Sequence, residues 1–574
     1  MVPLLFFGGF MTFEEYEYQS IDFDLLRKQL IDYKKKFDLV QSKEELLSLW
    51  KEFDALYQDF DSNLTLCSIR HSMNTANEFY KRENANLDEK VPELEEYFQG
   101  VTDSIVSNKF INEIKDLIPE TYFLQKEMEK KSFSPFIVKE LQEENRLSSK
   151  YQALIASAEI EFDQEKYNLS SLEVKMSDSS RSVRKKATKA YWNWFEEHAD
   201  ELLDIFDQLV SVRDRMAKKL GYKNYIELGY YRMNRFDYDK EDVALYRQQI
   251  LKDVVPVAND LYALQKKRLS YSDLHVWDEK VEFSSGNPKP KKNEKECINL
   301  ALKMYQELSD DTGEFFKYML DHHLLDCSPR AKKAAGGYCT YIPKYKSPFI
   351  FANFNGTSSD VETLTHEAGH AFQVWSSKDI FPTDCLWPTY ETCEIHSMSM
   401  EFITYPWMHL FFEEDTNRYL YHHMSSAVKF LPYGVLVDHF QHEIYLHPEY
   451  SGKEKMACWR NLEKQYLPHK NYDEVPILEK GGWWLRQLHI FMDPFYYIDY
   501  TLAQVCALQF WNRFYNRDEK AFSDYHKICC IGGKYPFKKA VKLAGLTNPF
   551  EEGCLFDTMN SVKAYLESFD QASL

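Results

Sequence analysis

Apolar residues recur three and four positions apart along most of this chain. In DFDLLRKQLIDYKKKF (22–37) and YWNWFEEHADELLDIFDQLVSVRDRMAKKL (191–220) they form one stripe between charged positions, the pattern of helices with a single buried face. The spacing predicts helix after helix from Phe23 to about Lys280, with breaks at the polar stretch Ser177–Ser180 and at Gly221. No unit of 20–50 residues repeats, which argues against a solenoid. The texture changes between Phe283 and Gly356. A Pro/Lys loop, NPKPKKNEK (287–295), leads into a helix through CINLALKMYQEL (297–308). Then GGYCTYIPKYKSPFIFANFNGT (336–357) is dense in Tyr, Ile, Phe and Thr between glycines, which predicts strands of a small sheet. Helical spacing returns from Ser359 to the C-terminus. The expected division is an all-helical N-terminal region, residues 1–185, followed by residues 186–574, which hold the sheet.

Composition narrows the classes. The chain has 574 residues, 44% of them hydrophobic and 16% aromatic, enough for large cores and too apolar for wholesale disorder. A net charge of −20 and a pI near 5.4 repel phosphate backbones and anionic lipid heads, so neither nucleic acid nor a membrane surface is expected as a partner. The one basic run, 287–295, is broken by prolines and a glutamate and reads as an exposed loop. Eleven cysteines without a recurring CxxC pair indicate neither a disulfide framework nor a structural zinc cluster, and fit reduced thiols in a cytoplasm. The apolar opening MVPLLFFGGF lacks a basic flank and a cleavage site and is too short to span a bilayer. It reads as an extension ahead of Met11, and no other segment approaches a membrane span.

Chemistry concentrates in SSDVETLTHEAGHAFQVWSS (358–377). Ser359 and Glu362 have the spacing of a capping box that starts a helix. On that helix Val361, Leu364, Ala368, Phe372 and Trp375 share one side. His366 and His370 share the opposite side, with Glu367 at their edge. Imidazoles at i and i+4 can each bring a ring nitrogen to about 2.0–2.1 Å from Zn²⁺. The glutamate between them then reaches metal-bound water instead of the metal. Gly369 leaves room for a substrate or a neighbouring backbone. Alone, HExxH is only moderately specific, and the decision rests on a third ligand. In PTYETCEIHSMSMEF (388–402), Glu394 lies 24 residues after His370 and can complete a His/His/Glu set with an open fourth position. Glu391 is the alternative ligand, and Glu401 is placed to hydrogen-bond a ligand histidine from behind. A second histidine group, VDHFQHEIYLH (437–447), spaces His442 and His447 five apart, off a common face, and reads as a packed or solvated helix. Downstream, QLHIFMDPFYYIDYTLAQ (487–504) carries His489, Tyr496, Tyr497 and Tyr500. Such donors suit a carbonyl oxygen that gains negative charge.

HEAGH followed by E-x-x-S-x-x-x-E, here Glu394, Ser397 and Glu401, resembles the thimet oligopeptidase and oligoendopeptidase F family of zinc metallopeptidases. FANFNGTSSDVETLTHEAGHAFQ (351–373) and PFYYIDYTLAQ (494–504) are most similar to the oligoendopeptidase F branch, from about Ser180 to near the C-terminus and more faintly before it. The resemblance implies a mainly helical, clam-like fold with a deep channel and endopeptidase action on short peptides. It also implies one Zn²⁺ per chain on His366, His370 and Glu394, with Glu367 as general base. It maps a substrate-binding histidine and two phenols onto His489, Tyr500 and either Tyr497 or Tyr496. The thimet branch has a glycine-rich loop where this chain has IFMDPF, so the tyrosine register stays open. The segment 347–357 is expected to offer an edge strand to an extended peptide. Two other readings remain: a zinc carboxypeptidase, and a non-catalytic peptide-binding helical scaffold.

Overall fold

The computed structural model describes residues 11–571 and 573–574, so the apolar opening discussed above lies outside the described residues. Helix accounts for 70% of the chain and strand for 3%, as the apolar spacing implies. The polar break at Ser177–Ser180 directly precedes the helix Arg181–Glu197, and Gly221, at φ +87°, follows the end of the helix Ala199–Lys219. Two features escaped the pattern. A hairpin of Ile160–Phe162 and Glu165–Tyr167 interrupts the N-terminal helices. The helical run also stops at Arg268, short of Lys280, where Ser270 turns the chain at φ +55°.

A second, smaller apolar core joins the N-terminal helices through Trp50, Phe53, Phe60 and Tyr122, and Cys385 reaches into it. The principal core gathers most of the rest of the molecule, including Val361, Leu364, Ala368 and Phe372 of the HEAGH helix.

A three-stranded sheet forms where the Tyr/Ile/Phe-rich segment predicts one: β1 (Leu325–Asp326), β2 (Tyr338–Ile342) and β3 (Ser347–Phe351). Its order is β1-β3-β2, with β3 parallel to β1 and antiparallel to β2. The expectation of an edge strand at Ser347–Phe351 is therefore wrong. That strand is paired on both sides and buried at every position, because its apolar residues Phe349, Ile350 and Phe351 belong in the core. The edges of the sheet are β1 and β2.

Four helices build the site: α1 (Ser359–Ser377), α2 (Tyr390–Ile403), α3 (Thr416–Leu446) and α4 (Tyr497–Tyr515). The start of α1 departs from expectation. Its N-cap is Ser358, whose side chain makes no capping bond, and Ser359 is already helical. The approach is tied instead by Asp360, whose carboxylate accepts from the amides of Asn355 (2.8 Å) and Gly356 (2.7 Å) after the chain turns at Gly356. As the spacing predicts, Val361, Leu364, Ala368 and Phe372 are buried, while the two histidines are only partly covered.

Helix α2 packs against both α1 and α4. At its contact with α1 the backbones nearly touch. A Cβ on Gly369 would lie 2.6 Å from the His396 carbonyl oxygen and 2.7 Å from Ser397 Cα. Glycine is thus required by a neighbouring backbone, one of the two reasons its position suggests. Because the obstruction is main chain, a methyl there must push the helices apart. Gly369→Ala is expected to cost about 1–3 kcal/mol of stability, the usual range for an overpacked core. Denaturant unfolding checks this, and a midpoint equal to the parent's would show that the contact yields freely.

Candidate active site

The packing of α1 on α2 brings His366, His370 and Glu394 together. One ligand atom from each lies within 4.8 Å of the other two, and this is the sole such convergent group among the described residues. Glu394 Oε2 sits 3.3 Å from His366 Nε2 and 3.5 Å from His370 Nε2. The same carboxylate accepts from Ser397 Oγ at 3.0 Å, one turn on, and from the Tyr496 hydroxyl at 3.1 Å. Burial opposes the charged form of Glu394, but the adjoining imidazoles outweigh it and hold the carboxyl well below the ordinary carboxylate range. At His366, burial opposes the cation, yet Glu394 and Glu401 raise its pKa well above the usual value. Two carboxylates thus converge on one imidazole, a local excess of negative charge that suits a cation. Nitrogen and carboxylate donors in this combination are those of three-ligand zinc sites, so the residues fit that metal.

Behind His366 runs a chain of hydrogen bonds. Its Nδ1 lies 2.7 Å from Glu401 Oε1, the other oxygen of Glu401 lies 2.7 Å from His423 Nε2, and His423 Nδ1 lies 2.7 Å from the Tyr405 hydroxyl. Burial works against the Glu401 carboxylate, but its two histidine partners lower its pKa to about 2. The contact of Glu401 with His366 follows the i, i+7 spacing from Glu394; the extension to His423 and Tyr405 carries no local sequence signal.

Glu367, beside the cluster, is 8% exposed and makes no hydrogen bond among the described residues. Burial raises its carboxyl above the ordinary range, countered by His366 and His370. The β2 edge of the sheet comes close by, since a Cβ on Gly337, just before β2, would lie 3.8 Å from Glu367 Oε1.

The segment after His489 closes the other side. The ring of His489 lies 5.7, 5.1 and 5.9 Å from those of Tyr496, Tyr497 and Tyr500. Gln487 Nε2 donates to His489 Nδ1 at 2.9 Å, which leaves the proton of the neutral ring on Nε2. Burial depresses the pKa of His489 and so favours that neutral form. Tyr500 sits one turn from Tyr496, with ring centroids 5.0 Å apart. Of the two neighbours left open by the sequence, Tyr496 has the hydroxyl bonded to Glu394. The ring of Tyr497 packs on Phe430 and Tyr433.

This register is pinned by residues that sequence reading missed. The buried Arg235 places Nη1 2.5 Å from Asp499 and 3.3 Å from Glu391, while its Nη2 donates to the Phe495 carbonyl at 2.9 Å. Gln441 accepts from the Phe495 amide, and Phe495 itself is held at φ +71°, a conformation costly for any residue but glycine. Glu391 is thereby turned to Arg235 and stands outside the histidine cluster. The other histidine group does not converge. His442 bonds Tyr230 and Arg247, His439 bonds Tyr466, and His447 faces Glu449. Among the described residues, no helix is long and apolar enough to cross a membrane.

The chain is similar to known proteins over nearly all of its length. The profile of peptidase family M3 matches residues 174–559, and that of the peptidase M3 N-terminal domain matches residues 13–133. The crystal structure of PZ peptidase A with an inhibitor is 44% identical, covers 98% of this chain and 100% of its own, and superposes with a TM-score of 0.93. A Bacillus anthracis protein provisionally described as an oligoendopeptidase F is 45% identical over 98% of this chain and 99% of its own, with a TM-score of 0.89. An oligoendopeptidase F homolog of Borreliella burgdorferi is 23% identical over 97% of this chain and 92% of its own. With the profile spanning most of its length, the chain belongs to the M3, oligoendopeptidase F family of metalloendopeptidases.

Proposed function

We propose that this metallopeptidase is a zinc-dependent oligoendopeptidase that cuts internal bonds of short peptides, with one Zn²⁺ per chain on His366, His370 and Glu394. The observation that carries the reading is the convergence of those three donors beside a glutamate left free of protein partners. Zinc bound there supplies Lewis acidity and a nucleophile active at neutral pH. Glu367 accepts the proton of the attacking water and hands it to the leaving amine; its buried, raised carboxyl suits both tasks. The Glu401–His423–Tyr405 chain keeps the His366 Nδ1 side engaged, so that Nε2 faces the metal position. On the opposite wall, His489 donates through Nε2, and Tyr500 with Tyr496 or Tyr497 adds phenols toward the carbonyl oxygen as it becomes an anion. A donor of this kind is worth about 10²–10³ in rate. The β2 edge, next to Glu367, suits pairing with the main chain of a peptide, which tolerates many side chains. Eleven unpaired cysteines, most of them buried, support a place in a reducing cytoplasm.

Glu367→Gln is expected to keep its zinc while kcat/KM on a fluorogenic peptide falls about 10²–10⁴-fold, the usual contribution of general base catalysis. Metal analysis alongside kinetics checks it; near-parent turnover in a zinc-loaded variant would refute the role. Glu394→Ala is expected to lose zinc to a competing chelator at least about tenfold more readily, whereas Glu391→Ala retains it. Equal zinc retention in the Glu394 variant would end the proposed ligand set. Finally, mass spectrometry of digests should find a peptide and its C-terminally amidated twin cut at the same internal bonds. Cleavage restricted to the free carboxylate form would mark a carboxypeptidase.

A further inference from the structure

A second cavity, of about 500 Å³, opens among the N-terminal helices Lys43–Met73, Glu95–Val106 and Glu120–Ser132, and none of its lining residues belongs to the histidine cluster. It shares a wall with the connection between α1 and α2 through Pro382 and Asp384. Its walls combine the rings of Tyr57, Phe98 and Tyr122 with the carboxylates of Asp61, Glu95 and Asp384. The acids are unevenly matched. Asp54, also in the wall, is satisfied by the Thr383 amide and hydroxyl and by Gln58. Asp384 lies 3.5 Å from Lys126, but that ammonium is shared with Glu129 at 2.9 Å. Asp61, half-buried in the wall, has neither a hydrogen bond nor an ion pair among the described residues, whereas Glu95 is exposed and its carboxylate is left to solvent. Enclosure by protein and the nearby Asp384 raise the Asp61 carboxyl to about 6, the signature of a charge lacking its counter-ion. A carboxylate partly withdrawn from water gains from a counter-ion, and aromatic faces add attraction for a cation of low hydration.

We propose that this cavity is a binding site for an organic cation, an ammonium or guanidinium on a short apolar stem. Asp61 and Asp384 take the charge, and the rings of Tyr57, Phe98 and Tyr122 cover the stem. The same chemistry is found on the basic side chain of a peptide and on a free small amine.

Calorimetry on the zinc-loaded full chain tests this with N-acetyl-argininamide, its neutral isostere N-acetyl-citrullinamide, and a short peptide in an arginine and a citrulline version. The expected result is that the arginine form of at least one pair binds at least tenfold more tightly than its citrulline form. Asp61→Asn and Phe98→Leu should each erase that preference, while hydrolysis of a short neutral peptide stays at the parent rate. A preference confined to the peptide pair identifies a peptide side chain as the occupant; one shared by the amides identifies a free cation. Absence of a preference in both pairs, or its survival in Asp61→Asn, overturns the site. Folding of the variant is not in doubt on charge grounds. A carboxyl whose folded pKa lies above the unfolded value costs stability as pH rises past the unfolded pKa, so Asp61→Asn should unfold no earlier than the parent at neutral pH.

Discussion

Everything near the histidines answers one electrostatic constraint: a carboxylate and two imidazoles are held within a few ångströms of each other inside protein. Without water to screen them, such groups stay together only if their charges and lone pairs are matched by fixed partners. Glu394 illustrates the solution. Its two oxygens are divided among both imidazoles, the Ser397 hydroxyl one turn on and the phenol of Tyr496, which caps the start of α4. Three separate helices thereby converge on one side chain. The close contact at Gly369 fixes two of them against each other, and the cost of crowding the charges falls on the packing of the whole lobe.

A second buried charge cluster sets the position of the third helix. Arg235 faces both Asp499 and Glu391, one guanidinium against two carboxylates, with both acids out of water. Burial raises both carboxyls, and the shared guanidinium works against that rise at each of them. The geometry has a purpose visible in its third bond. By holding the Phe495 carbonyl, Arg235 keeps that residue in its costly left-handed conformation, and the next residue, Tyr496, turns toward Glu394. Residues 235, 391 and 499 thus hold the segment in which Tyr496, and not the adjacent Tyr497, bonds Glu394.

This division explains what could be read from the chain. Periodicity located α1 and α2, and fixed spacing along a helix placed His366 with His370 and Glu394 with Glu401, because helical geometry turns sequence separation into direction. The sheet was legible from composition, but its strand order was not. A two-residue strand, Leu325–Asp326, with little pattern of its own, covers one side of Ser347–Phe351 and puts that strand between two others. The start of α1 is set by a turn of the preceding loop onto Asp360, which helical spacing does not encode, and the tyrosine segment is tied by Arg235, far off in the chain. Local rules reach as far as one element; contacts between distant segments lie outside them.

The tight spot at Gly369 has a bearing beyond this molecule. Where the facing helix presents its own main chain at such range, a single hydrogen atom is all that can occupy the position. Two chains with the same histidines and the same downstream glutamate, differing only in whether that residue carries a side chain, would not hold their donors alike: in one the carboxylate drops into place, in the other it is levered outward with its entire helix. That position therefore works as a touchstone for telling intact copies of this architecture from sequences that retain its signature without its shape.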